Sequence, residues 1–201
     1  MKLSLHFNSR RALDTRAFTL AELLVTMAIF LLMTTGIISA HLYGIRMLEF
    51  IRPKLSATDE ARNLISRLFE EVRSASKVRV GAGDISNFTA VAVNTPQKGN
   101  ALQIWPTTND NIYVRYFWDT DEKLKRMTNG AKTAATMASS VTNNLVFTCE
   151  DFTGKPLTNN QTARVVVGVT LKVNQLQYPS STNAAKRVYD YYQVQTRIAK
   201  R

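Results

Sequence analysis

Between Leu23 and Ile45 the chain contains no Asp, Glu, Lys or Arg. At about 1.5 Å per residue, roughly 20 apolar residues span the ~30 Å hydrocarbon core of a bilayer. A backbone in lipid must satisfy its own hydrogen bonds, so such a segment is a helix. His41 and Tyr43 lie toward its far end, where amphipathic side chains reach the head groups. Glu22 stands at the mouth of this span. A carboxylate inside a membrane helix costs about 2.5–3.5 kcal/mol on insertion scales, so it calls for a dedicated partner or an interfacial position.

Two ordinary readings of the span compete. A secretory signal peptide has an apolar core of about 7–15 residues ending at a small-x-small site. This span is longer, and its best late site, Ile38 and Ala40 before His41, fits poorly. A plain single-pass anchor fits the length. Cations flank both ends, Lys2, Arg10, Arg11 and Arg16 before the span and Arg46, Arg52 and Lys54 after it, so charge alone does not orient it.

The run Arg16-Ala17-Phe18-Thr19-Leu20-Ala21-Glu22, continued by Leu23-Leu24-Val25, resembles the cleavage and methylation motif of type IV prepilins and type II secretion pseudopilins. Ala17 stands where that family usually has Gly, and the leader is rather long. Gly36 and Ser39 occupy the neighbourhood of the family's usual membrane proline. The resemblance implies a leader over 1–17, a transmembrane and filament-core half-helix over 18–52, an amphipathic half over 53–77 and a periplasmic β-rich domain over 78–201. It implies that prepilin peptidase cuts between Ala17 and Phe18 and methylates the Phe18 amine. It also implies that Glu22 serves subunit assembly by meeting the N-terminal amine of a neighbour. A competing reading leaves Glu22 at the interface or complementing the helix N-terminus. The implied partners are the peptidase, other pseudopilins or pilins, an inner-membrane assembly platform and inner-membrane lipid. The implied location is a single pass of the inner membrane with the C-terminal domain in the periplasm, or a cell-surface filament.

Beyond the span, Arg52-Pro53 predicts a kink or short break, because proline removes a donor and disfavours helix at the preceding residue. Leu55, Ala61, Leu64, Ile65, Leu68, Phe69, Val72 and Ala75 then recur at three- and four-residue steps and read as a packing stripe. Asp59, Glu60, Arg62, Arg67, Glu70, Glu71 and Arg73 take the other face. Ser56 with Asp59 weakly resembles a capping box that would start this second half. After Lys77, β-rich runs read as strands at 88–93, 101–105, 112–118, 144–149, 164–173 and 188–198. Asp119-Thr120-Asp121 reads as a tight turn leading to a return strand at Lys123. Segments 94–100, 127–143, 153–163 and 178–186 read as loops. Helix first, antiparallel strands after, gives an α+β class in which the helix covers a sheet face. This agrees with the pilin fold. The stretches Tyr113–Arg126, Val146–Gly154 and Val188–Arg197 loosely resemble the J class of minor pseudopilins; a minor type IV pilin is the close alternative.

The formal charge of +11 raises a nucleic-acid partner. Part of the excess belongs to the leader, no run of five basic residues occurs, and Lys123-Leu124-Lys125-Arg126 is the densest patch. A solvated basic surface and an anionic partner both remain open. Cys149 is the only cysteine, so no intramolecular disulfide forms. The two histidines, His6 and His41, fall in the leader and the anchor. No catalytic set, nucleotide loop or metal-spaced cluster is present, so neither enzyme activity nor a cofactor is expected. Asp119, Asp121 and Glu122 are acidic at a turn; calcium needs six to eight oxygens, and a solvated turn is the simpler reading.

Overall fold

The computed structural model describes residues 18–159, 165–176 and 189–200. The leader, including Ala17, and the whole 178–186 segment lie outside them. The chain divides into two compact units, Met1–Met47 and Leu48–Arg201.

One helix, α1 (Leu20–Ser74), opens the described chain. Its assignment runs without interruption through Arg52-Pro53 and Ser56, so the expected break and the second helix start there do not occur. Proline removes one N–H donor, and a single lost bond does not end a helix of 55 residues. The helix stops three residues before the expected end, Ser74 Oγ donating to the Glu70 carbonyl at 2.8 Å and Arg73 occupying the last turn.

Ten strands follow: β1 (Lys77–Gly83), β2 (Phe88–Ala90), β3 (Lys98–Gly99), β4 (Ala101–Trp105), β5 (Val114–Asp119), β6 (Lys123–Thr128), β7 (Ala135–Ala138), β8 (Phe147–Glu150), β9 (Val166–Leu176) and β10 (Tyr189–Ala199). They form two antiparallel sheets, β2-β1-β4-β5-β6-β7 and β10-β9-β8-β3. The α+β, pilin-like arrangement of a long N-terminal apolar helix and antiparallel strands is therefore observed, with the strands split between two sheets. The sheets approach closely where β1 meets β3: a side chain at Gly99 would overlap the backbone of Gly81. That crossing is the reason glycine suits position 99, whereas at Gly81 a side chain would collide with Thr89 and Phe88 of β2.

Three strands were not expected. β1 lies where the helical reading ended, and its Lys-Val-Arg-Val alternation buries Val78 and Val80. β3 and β7 fall in segments read as loops; both are short and end their sheets. The turn after β5 agrees with its reading: Glu122 N–H donates to the Asp119 carbonyl at 3.1 Å, Glu122 takes a φ of 58°, and β6 returns.

One apolar core joins helix and both sheets. α1 contributes Ala57, Leu64, Leu68 and Val72, with Ala75 just past its end; the six-stranded sheet gives Val80, Leu102, Ile104, Tyr116 and Leu124; the four-stranded sheet gives Phe147, Val167, Val169, Leu171 and Ile198. The buried helix positions, Ala61 among them, recur at three- and four-residue steps. Leu55 and Phe69, expected in the packing stripe, are exposed at 60% and 42%, and Ile65 is half-buried. All three lie on the flank of the buried line, Ile65 facing Tyr192 and Val194 across a groove.

The other face of the six-stranded sheet holds a smaller cluster of Ala101, Phe117 and Met127. Arg115 is buried beside it, its Nε donating to Gln103 Oε1 and its Nη1 to the carbonyls of Asp84 and Asn87 at 2.8 and 3.0 Å. Its guanidinium also sits over the rings of Phe88 and Tyr113. These contacts fasten the β1–β2 turn onto the sheet.

Candidate assembly segment

Thr19 and Glu22 are joined by three hydrogen bonds at the start of α1. The Thr19 N–H and hydroxyl both donate to Glu22 Oε2, at 2.9 and 3.0 Å, and the Glu22 N–H donates to Thr19 Oγ1 at 3.3 Å. This is a capping box, with Thr19 as N-cap and Glu22 as the third helical residue. The sequence reading placed Glu22 correctly at the helix start but overlooked the Thr-x-x-Glu spacing, which is the pattern that reveals it. Phe18 precedes the cap and is 78% exposed. Of the expected cleavage pair, Phe18 is thus placed, and Ala17 lies outside the described residues.

The segment from Leu20 to Glu49 is long and apolar enough to cross a membrane, and among the described residues none of its apolar window is buried. Thirty residues of helix extend about 45 Å, more than a hydrocarbon core requires. Its threonine hydroxyls are satisfied locally: Thr26 donates to the Leu23 carbonyl, Thr34 to Phe30 and Leu31, and Thr35 to Leu31, all at 2.7–3.0 Å. Such back-bonding lets threonine sit among apolar neighbours without an unpaired donor. The helix is consistent with a single-pass membrane anchor.

Within the globular unit several charged groups form pairs that hold structure. Glu71 joins α1 to the sheet: Oε1 accepts from Arg126 Nε and Nη2 at 3.0 and 2.7 Å, and Oε2 accepts from the Tyr116 hydroxyl at 2.8 Å. Burial, reinforced by the Glu71 carboxylate, pushes the Tyr116 hydroxyl well above its ordinary range, so it stays a donor. Glu60 Oε2 likewise accepts the Ser139 N–H at 2.8 Å. Both acids had been placed on the solvent face of the helix; each leans from the flank onto the sheet.

At the β5–β6 turn, Lys125 Nζ sits 2.6 Å from Asp119 Oδ2 and 2.8 Å from Asp121 Oδ2, and Lys123 approaches Asp121 at 3.4 Å. Hydrogen bonds from Lys125 hold both carboxyls below the usual carboxylate range. A divalent cation would have to displace that ammonium. Among the described residues no group of three or more His, Cys, Asp or Glu is placed to hold a metal ion. Cys149 is buried, and burial pushes its thiol up to about 12.

Arg197 on β10 spans the outer face of the four-stranded sheet. Its Nε lies 3.0 Å from Glu150 Oε2, an ion pair without hydrogen-bond geometry. The guanidinium also covers Gly154, where a Cβ would come within 2.5 Å of Nη2. Gly168 leaves the Glu150 carboxylate room in the same way.

A model of the prokaryotic N-terminal methylation motif matches residues 14–38. No curated protein and no solved structure matched the chain. The motif therefore covers the cap, Phe18 and most of the apolar span, and leaves the globular unit to be read from its own geometry. The match supports a type IV pilin-like protein and implies processing by prepilin peptidase and assembly with other pilin-like subunits.

Proposed function

We propose that the chain is a minor pseudopilin of a type II secretion system. In this reading prepilin peptidase cuts between Ala17 and Phe18 and methylates the Phe18 amine, and the mature subunit joins a short periplasmic pseudopilus. The chain is acted upon and is not itself an enzyme; the Tyr116, Arg126 and Glu71 groups serve the fold. The leader would face the cytoplasm and the globular unit the periplasm.

The observation that carries the reading is an acid held in a cap at the head of an exposed apolar helix of membrane-spanning length. The two bonds from Thr19 to Oε2 reduce the cost of carrying Glu22 into lipid. Cleavage after Ala17 would create an amine with an unperturbed pKa of about 7.7–8.0, mostly cationic at neutral pH. The amine of a neighbouring subunit would then meet Glu22 and set the register between the two helices. Removing one member of such a buried pair costs about 3–5 kcal/mol. The exposed apolar side chains of the anchor would pack against lipid before assembly and against neighbouring helices after it.

A minor type IV pilin, acting in pilus assembly, adhesion or DNA uptake, is the second reading; the formal charge of +11 favours it. Deletion in the native host separates the two. Loss of protein export with surface pili intact supports the pseudopilin. Loss of surface pili with export intact overturns it in favour of the pilin. Salt-dependent DNA binding by the purified chain would further support the second reading.

A further inference from the structure

Two surface features of the globular unit have no role in the reading above: an exposed aromatic turn and an apolar groove. The first is the turn after β8. Phe152 is 92% exposed, the most exposed large apolar side chain among the described residues. A single exposed apolar residue is ordinary, but this one sits on a turn that is held rigid. Asp151 Oδ1 accepts from the Thr153 N–H, the Thr153 hydroxyl and the Lys155 N–H at 2.7–2.9 Å. Gly154 supplies a φ of 89°, and Arg197 braces the turn from below. All three side-chain bonds end on Oδ1, so Asp151 Oδ2 takes no part in the turn.

The second feature is a largely apolar groove between α1 and β10, whose lining includes Thr58, Ala61, Arg62, Ile65, Tyr192 and Val194, with Ser66 beside them. The Tyr192 hydroxyl is buried there without a hydrogen-bond partner among the described residues. Arg62 at the lip enters no ion pair or hydrogen bond among them either. A rigid aromatic beside a carboxylate and an apolar groove beside an unpaired guanidinium are complementary in shape and in charge.

We infer that the Phe152 turn of one copy docks in the α1–β10 groove of a second copy. The ring lies against Ala61, Ile65 and Val194, and Asp151 Oδ2 faces Arg62. A preorganised aromatic anchor loses little entropy on docking, and a ring beside Arg62 gains a cation–π contact. Knob and groove are different patches, so the contact is heterologous and joins copies head to tail. One ring is far smaller than the roughly 1,200–2,000 Å² of a stable soluble interface. The contact therefore acts where copies are already crowded, as on a shared membrane, which raises their effective concentration. It does not depend on which filament the chain joins.

The test uses the full chain in membranes. One tagged copy carries Lys155→Cys beside the knob, a differently tagged copy carries Ser66→Cys at the groove, and both positions are exposed. A short thiol-reactive crosslinker is added; buried Cys149, with its raised pKa, does not compete. The expected result is a mixed-tag dimer that is lost when Phe152→Ala or Arg62→Glu is added. A mixed dimer unaffected by Phe152→Ala overturns the inference. So does a Lys155→Cys self-dimer as abundant as the mixed one, which indicates a symmetric contact. Absence of any mixed dimer from mature chains overturns it as well. The N-terminal mass of the same sample keeps the questions separate: a chain still starting at Met1 counts against the filament reading and leaves the crosslinking result standing.

Discussion

Replacing Glu71 with Ala tests whether one flank acid fixes the helix to the sheet. The substitution removes the acceptor of two Arg126 bonds and the only acceptor shown for the Tyr116 hydroxyl. Leaving one member of a buried ion pair unpaired costs about 3–5 kcal/mol. Here the side chains of Arg126 and Glu71 keep 16% and 20% of their exposure, so water offsets part of that. Tyr116 is fully buried, and its orphaned hydroxyl adds about 1 kcal/mol. A total near 3 kcal/mol corresponds to a drop in melting temperature of about 6–12 °C for a domain of this size. Glu71→Gln keeps a neutral acceptor and should lose about half as much. Both tryptophans, Trp105 and Trp118, lie in the globular unit, so fluorescence of the full chain in detergent reports its unfolding. A loss under ~0.5 kcal/mol for Glu71→Ala would show that the network is solvated and would refute the reasoning.

Leu68→Ala, at a fully buried position, should cost about 2–5 kcal/mol, whereas exposed Leu55→Ala should stay within ~0.5 kcal/mol in the same assay; equal losses would mean Leu55 is also covered. Gly154→Ala should destabilise by about 1–3 kcal/mol, from its φ of 89° and the collision with Arg197. Adding Arg197→Ala should relieve the steric share, and strict additivity would contradict the contact. The Asp119 and Asp121 carboxyls are lowered mainly by Lys125, and Asp151 mainly by the Thr153 hydroxyl. A folded pKa below the unfolded one gives stability present above about pH 4 and lost as pH falls through the lower folded values. NMR titration of these carboxyl carbons checks this, and midpoints at or above ordinary aspartate values would oppose it.

Much of the fold was legible because its signals are local. The uncharged span announces the helix, and the α1 period predicts Ala61, Leu64, Leu68, Val72 and Ala75 inside. β4 matches its expected bounds, and the Asp119–Lys123 turn carries its own chemistry. What was missed depends on tertiary contact. Leu55 and Phe69 obey the same period as the buried residues, yet they lie on the flank of the buried line. Glu60 and Glu71 look like solvent-facing acids until β6 and the residue after β7 supply donors. β3 has only two residues, too few to show alternation, and exists because β8 pairs with it. In the assembly segment the sequence revealed the acid, the apolar run and the residue expected to become the N-terminus. It also contained Thr19 three residues before Glu22, a spacing readable in advance, whose reciprocal bonds became evident only in three dimensions.

The central claim is that Phe18 becomes the N-terminus of a subunit whose Glu22 awaits a cationic partner. Mass analysis of the N-terminal peptide from membrane-extracted chain, with prepilin peptidase present, tests it most directly. The account predicts a peptide beginning at N-methylated Phe18 with residues 1–17 absent; a chain that still begins at Met1 would contradict it.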